Sequence, residues 1–399
     1  MFTYKSVLTP ILLTLFVYLE YFGLSLKLIN TLFALYAFLL IFQLNKKELF
    51  TSGFFVGILW FWWLSYSFIY YELSFMIPFV LIGIGLLYAI LFYFIGIFNN
   101  IYYKISYIFL LSYIEPFGFN WFKIELPFIN SYLGTSKIEF LVILIISGLF
   151  IKYKDKYKTT IPICYAIVII ILFFINKYHI TKNYVEQPNI KIYKYETKIP
   201  QEHKWDKKFK QEIINNNFQA IETAIKNKND LIVLPETAFP LILNHQNTLL
   251  NKLLRYSEQI SILTGSLYEK DNLLYNSSYL FQNGHLEVAN KVVLVPFGEA
   301  VPLPEKLRNW VNDTFYNGAK DYVTAAIPTT FSIKGTKFRN AICYEATTDK
   351  IYSNLDTQYA IAISNNAWFT PSHQPTLQKL LMRYYENKYN IIIIAISNQ

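Results

Sequence analysis

A chain of 399 residues with 54% apolar and 19% aromatic content exceeds what ordinary soluble proteins use and is long enough for two domains. Its net charge of +9 comes from scattered lysines and one cluster, Lys152 to Lys158, directly after an apolar run, which reads as a membrane topology signal and argues against a nucleic-acid partner. The two cysteines, Cys164 in an apolar run and Cys343 far downstream, exclude a disulfide framework.

In chain order, the apolar runs come first. About 20 mostly apolar residues span the hydrocarbon core as a helix, because lipid offers backbone groups no partner. About seven candidates run over 6–26, 28–44, 49–71, 73–98, 101–114, 138–151 and 160–175. Lys5 precedes the first, but no small-residue cleavage site follows, so it reads as a retained span. Lys5, Lys46, Lys47, Lys104 and the Lys152 to Lys158 cluster fall on one side. Lys27, Glu72, Glu115, Lys123 and Glu125 fall on the other. The positive-inside rule makes the first side cytoplasmic, which puts the residues after the last span on the opposite, periplasmic side of a bacterial inner membrane. Glu20, inside the first run, is a carboxylate either near the outer headgroups or with a function in the membrane.

The polar half then reads as strands alternating with helical stretches, an α/β layered sandwich. The stretch 230–236 opens on Asp230 and runs through four apolar residues into Pro235 and Glu236, as in a buried strand. Strands at 275–281 and 286–295 meet at Asn283-Gly284, the dipeptide of a tight type I′ hairpin, and the second carries Lys291. A strand over 338–343 delivers Cys343 to its end. The run 359–368 repeats that pattern, a helix covers 374–387, and a final strand covers 391–396. The domains expected are 1–178, a multi-pass helical membrane bundle, and 179–399, a catalytic domain.

Glu236, Lys291 and Cys343 each stand at or near the end of a candidate strand. A thiol is only a few per cent thiolate at neutral pH, so it needs a base or a cation nearby. Glu236 suits the base. Lys291 suits stabilisation of the thiolate and of an oxyanion, together with a backbone N–H near Tyr344. Without a G-x-S-x-G elbow a serine hydrolase has little support, and without Cys-x-x-Cys or a His-based site no metal or other cofactor is expected. Asn276-Ser277-Ser278 is a formal glycosylation sequon without meaning in a bacterium.

With their flanks, these residues resemble the Glu-Lys-Cys triad of the nitrilase superfamily, in its apolipoprotein N-acyltransferase branch. The resemblance is carried by Leu234-Pro235-Glu236-Thr237, Asn290-Lys291, Leu294 to Pro302 with Glu299, Cys343-Tyr344-Glu345, Ser364 to Phe369, and Arg383 with Glu386. The segment Ile199 to Trp205 is similar to the opening of the family's catalytic domain. It covers nearly the whole polar half and implies an αββα sandwich. It also implies that Cys343 takes an acyl chain from a phospholipid as a thioester and passes it to the α-amine of a diacylglyceryl-cysteine on an apolipoprotein. Glu299, Tyr344, Glu345 and Trp205 are then supporting or substrate-binding residues. Ala289, Asn366, Glu196 and Lys198 depart from the family's pattern, and the chain stops at Gln399 where the family continues, which reads as truncation. Two alternatives remain at this point: a membrane-tethered C–N hydrolase of amidase or nitrilase type, and a non-catalytic lipid-binding relative.

Overall fold

The structure, a computed structural model describing residues 3–315 and 321–399, starts with helices where the apolar runs demand them. They run Tyr4–Tyr21, Lys27–Gln43, Lys46–Phe61, Ile77–Ile95, Ile101–Leu111, Lys137–Tyr153 and Thr160–Lys182. Among the described residues Lys46–Tyr70, Ser74–Ile95 and Thr160–His179 are long and apolar enough to cross a membrane, and Lys27–Gln43 is a shorter apolar helix. Local chemistry sets their starts. Asn45 accepts from the Lys47 and Glu48 N–H groups while Glu48 reaches back to Asn45, and Ser136 with Glu139 repeats that capping box.

These helices pack backbone to backbone. A Cβ on Gly53 would stand 2.4 Å from the Tyr88 carbonyl oxygen and one on Gly57 2.8 Å from that of Ile84, so only glycine lets Lys46–Phe61 and Ile77–Ile95 approach so closely. Lys104, which the charge pattern places in a loop, is instead buried in helix Ile101–Leu111. It donates to the carbonyls of Phe42 and Leu44, satisfying the end of Lys27–Gln43. Glu20 accepts from Asn130 Nδ2 at 2.8 Å, and Arg383 meets both Asn130 and Glu20, so this carboxylate belongs to a polar cluster.

The chain divides into two units that no single cut in sequence separates. One holds the described residues up to Pro116 with Asn120–Tyr184 and Ser372–Tyr384. The other holds Phe117–Phe119, Val185–Pro371 and Tyr385–Gln399.

The second unit contains two sheets. In the first, β1 (Ile192–Lys194), β2 (Leu231–Val233) and β4 (Ser261–Lys270) are parallel, β3 (Phe239–Ile242) pairs with β4, and β5 (Leu273–Gln282) and β6 (His285–Asn290) continue antiparallel, in the order β1-β2-β4-β5-β6. In the second, β7 (Thr330–Ile333), β8 (Thr336–Ile342), β9 (Tyr359–Asn365) and β10 (Ile392–Asn398) lie in the order β10-β9-β8-β7. Hairpin β5-β6 turns at Asn283 and Gly284 with φ of 51° and 74°, the left-handed pair a type I′ turn requires. Beyond β9, the outer edge of β10 meets Thr197, which donates to the Ser397 carbonyl and accepts from Gln399 N–H.

Strand alternation builds the layers. Leu231, Val233, Leu263 and Leu280 point inward against Phe338, Ile342, Ile363 and Ile394 of the second sheet. Their neighbours Ile232, Leu234, Ile262 and Phe281 point outward against Phe218, Ile221 and Leu253 of helices Lys207–Lys226 and Asn247–Tyr256. On the far side Tyr352, Tyr385 and Tyr389 stack between helix Asp349–Tyr352 and the end of helix Gln374–Tyr389. The layers are therefore αββα. Two boundaries beside the site differ from the sequence reading. The strand expected over 286–295 ends at Asn290, with Lys291 N–H making one last in-register bond to the Asn276 carbonyl, and the strand expected over 230–236 ends at Val233, where the chain turns toward Glu236.

Candidate active site

Every triad member lies just past a strand end. Glu236 follows β2, Lys291 follows β6, and Cys343 follows β8. At these corners non-glycine residues occupy the left-handed region: Thr237 at φ 47°, Phe297 at 63° and Cys343 itself at 54°. Each costs about 1 to 2 kcal/mol, and such strain persists only where the surroundings over-determine it. The turn at Glu236 shows how. A Cβ on Gly265 of β4 would stand 2.6 Å from both Glu236 Cα and Thr237 N, so the strand behind the turn has to carry glycine. Gly265→Ala is expected to cost about 1 to 3 kcal/mol of stability and to lower turnover by displacing Glu236. Thermal unfolding beside an activity assay checks it, and a variant indistinguishable from the parent refutes it.

The carboxylate of Glu236 is held at both oxygens. Asn276 Nδ2 donates to Oε1 at 2.7 Å and Asn365 N–H donates to Oε2 at 2.7 Å. The same N–H of Asn365 meets the sulfur of Cys343, so the Glu236 carboxylate and the Cys343 sulfur share a donor. Lys291 is 0% exposed. Its Nζ lies 2.7 Å from Glu299 Oε2 and 3.9 Å from Glu236 Oε1. Burial opposes charge on Lys291, but the two carboxylates outweigh it and hold the group as an ammonium. Cys343 is the partly open member, and burial, reinforced by the negative charge of Glu236, pushes its thiol up despite Lys291. The resting thiol is therefore protonated at neutral pH and needs a base to become a nucleophile.

Glu299 is the second partner of Lys291. It also accepts from Asn276 Nδ2 at 2.8 Å and from Val295 N–H at 2.9 Å, which closes the Val295 to Ala300 loop around it. Glu345 is fully buried, accepting from the N–H groups of Val292 at 2.8 Å, Val293 at 3.2 Å and Ile342 at 2.8 Å. It straps the segment after Lys291 to the residue before Cys343. Tyr344 is buried, stacks on Phe119 at 5.6 Å and donates to the Gly118 carbonyl at 3.1 Å. Trp205 is 45% exposed, and the residue before it, Lys204, is the one that reaches the site.

Residues 1–178 match the apolipoprotein N-acyltransferase integral membrane domain family, and residues 200–398 match the carbon-nitrogen hydrolase family. An apolipoprotein N-acyltransferase of Wolinella succinogenes is 39% identical over 98% of this chain and 92% of its own length. The chain belongs to the apolipoprotein N-acyltransferase family. The corresponding enzyme of Helicobacter pylori is 34% identical over 93% of the chain and 86% of its own length. Among solved structures, a CN-hydrolase superfamily protein from Xanthomonas campestris is similar at a TM-score of 0.39 and 16% identity, over 53% of this chain and 77% of that one. Membership makes the chain an acyltransferase enzyme of a bacterial inner membrane, with a nitrilase-like domain carried beside an integral membrane domain. Curated apolipoprotein N-acyltransferases that match nearly the whole chain favour acyl transfer over a membrane-tethered C–N hydrolase.

Three groups at this site escaped sequence reasoning. Asn276, set aside as part of a sequon, is the amide that ties Glu236 to Glu299. Its signal was the polar run Asn276-Ser277-Ser278, fully interior in the middle of a strand. Asn365 lies within Ser364 to Phe369 and Lys204 within Ile199 to Trp205, where nothing local shows that either is buried against Glu236.

Within this family the Glu345 strap carries a prediction. Burial pushes its carboxyl up to about 7 against the opposing pull of Lys291 and the three N–H donors. Glu345→Gln turns an acceptor oxygen into an NH2 facing N–H donors, leaving buried groups unpaired. Because two catalytic segments lose their register, turnover is expected to fall about a hundredfold. Turnover measured beside the unfolding midpoint checks this, and parental activity in a folded Glu345→Gln protein excludes the strap.

Proposed function

We propose that this chain transfers a fatty acyl chain from a membrane phospholipid to the N-terminal α-amine of diacylglyceryl-cysteine in an apolipoprotein, through a thioester on Cys343. The observation that carries the reading is the convergence on the Glu236 carboxylate, held by Asn276 and Asn365, of a buried ammonium, Lys291 Nζ at 3.9 Å from Oε1, and of a protonated thiol, Cys343, which shares the Asn365 N–H.

Glu236 takes the thiol proton as the sulfur attacks the ester carbonyl carbon. The oxyanion that forms is met by the Lys291 ammonium and the N–H beside Tyr344. Collapse breaks the ester C–O bond, and the leaving lysophospholipid oxygen takes the proton back from Glu236. The α-amine then attacks the thioester carbon and gives a proton to Glu236, the C–S bond breaks as the amide forms, and Glu236 returns that proton to the departing thiolate. Lys291 stays charged throughout, because Glu299 pairs with it at 2.7 Å while Glu236 changes protonation. That division of labour resolves the conflict of a base beside an ammonium: one carboxylate neutralises the lysine and leaves the other to exchange protons.

The alternating positive charges of the first half support a periplasmic catalytic domain. The test of the chemistry is to incubate the purified full chain in detergent with a phospholipid labelled in its acyl chain, then analyse the Cys343 peptide by mass spectrometry. An acyl mass on Cys343 with stoichiometric lysophospholipid is the expected result. Acyl transfer to a lipopeptide without any adduct on Cys343 would sink the thioester route.

A further inference from the structure

Lys204 is a lysine that no step above uses, and it is only 1% exposed. It closes the short helix Gln201–Lys204 and donates from Nζ to the Glu236 carbonyl at 2.9 Å. That carbonyl opens the turn whose next residue, Thr237, is left-handed and β-branched, a conformation that relaxes unless held. Gly265 packs behind the turn and Asn217 Nδ2 holds the Ala238 carbonyl at 2.8 Å, while Lys204 grips Glu236 itself. The same helix offers Gln201, whose Oε1 accepts from Asn365 Nδ2 at 2.9 Å. Asn365 in turn anchors the Glu236 carboxylate through its N–H. One helical turn therefore supports the base from both ends, at its main chain and through its carboxylate donor.

We propose that Lys204 is a positioning residue for acyl transfer: it fixes Glu236 at the main chain and, by its own protonation, sets how strongly that carboxylate draws the proton from Cys343. The inference rests on the roles of Glu236 and Cys343 proposed above.

Burial pushes Lys204 down to about 7, with Glu236 and then Cys343 pulling the other way. The titratable groups set against it are Glu236 after β2 and Cys343 after β8, and Lys291, on the segment after β6, acts on the same two. On its own helix, Glu202 is exposed and His203 stacks on Phe209 at 4.0 Å. Below pH 7 Lys204 is an ammonium. Its charge attracts the Glu236 carboxylate more than the sulfur, so moving the thiol proton onto Glu236 gives up that attraction and is opposed. Above pH 7 it is an amine, still a donor to the carbonyl, and Lys291 is the cation that remains. Acylation of Cys343 should therefore speed up as pH rises through the titration of Lys204.

The experiment follows single-turnover formation of acyl-Cys343 across the neutral pH range, using the full chain in detergent and a phosphatidylethanolamine with a labelled acyl chain. The parent is expected to show an upward inflection near pH 7. Lys204→Met should lose the inflection and run about tenfold slower, from one lost hydrogen bond to a strained turn. Lys204→Arg, charged at every pH, should keep the slow low-pH rate without the rise. The phospholipid KM should not move in either, because Lys204 is sealed from solvent. A parent profile with no inflection overturns the proposal, as does a Lys204→Met profile that keeps it, including one lowered uniformly in step with a lower unfolding midpoint. If Lys204→Met does not fold, the parent and Lys204→Arg profiles decide. A parent that forms no acyl-Cys343 removes the underlying reading, and this inference with it, before any variant is compared.

Discussion

Cys343→Ala is expected to form no acyl-enzyme and to lower transfer to a lipopeptide by on the order of 10⁴-fold or more, with the fold intact. The fold survives because alanine meets the same left-handed constraint at φ 54° that cysteine already tolerates, and the change removes one atom from a residue that is itself half-buried. Cys343→Ser should be nearly as inactive. Its hydroxyl is a far weaker acid than the thiol, so the same proton transfer to Glu236 is far more costly. Both variants are measured with the labelled phospholipid and the Cys343 peptide. Transfer by a folded Cys343→Ala protein at a rate near the parent's would place the nucleophile elsewhere.

Lys291→Met is expected to damage stability and catalysis together. Breaking a buried ion pair by removing one partner costs about 3 to 5 kcal/mol, because the charge left behind has no water and no counterion. Here two carboxylates, Glu299 at 2.7 Å and Glu236 at 3.9 Å, are left facing each other across Asn276. One of them must take up a proton. If it is Glu236, the base is lost as well as the oxyanion's cation, and turnover falls by about 10³-fold or more. Lys291→Met combined with Glu299→Gln should recover part of the stability and none of the turnover, since the double variant removes the orphaned charge without restoring the ammonium. Unfolding midpoints and single-turnover acylation separate the two effects. Equal recovery of both would mean that Lys291 serves only to neutralise Glu299.

The helices were legible because a run such as 77–95 has no other way to satisfy its backbone in lipid, and the hairpin at Asn283-Gly284 because only left-handed residues make that turn. The central strand β4 was not read. Its Thr264-Gly265-Ser266 looks like a loop, yet Gly265 is small because the backbone of the Glu236 turn lies against it, and Ser266 Oγ donates to the carbonyls of Phe239 and Leu241 in β3. Helix Lys207–Lys226 hid in a polar stretch, although Ile214, Phe218 and Ile221 recur at helical spacing. Its polar residues reflect an outer layer with one face in water. In both places a local rule gave way to a neighbour distant in sequence.

The sequence by itself determined that the first half is built of apolar helices and that a thiol, a carboxylate and a lysine stand at strand ends, because span length, strand periodicity and flanking motif are properties of neighbouring residues. Tertiary structure alone decided that Lys291 is held as an ammonium by Glu299, that Asn276 and Asn365 anchor the Glu236 carboxylate, and that Lys204 lies buried against the Glu236 carbonyl. Those outcomes depend on which groups lose water and how far apart they come to rest, and desolvation and distance exist only once two sheets have closed over the strand ends.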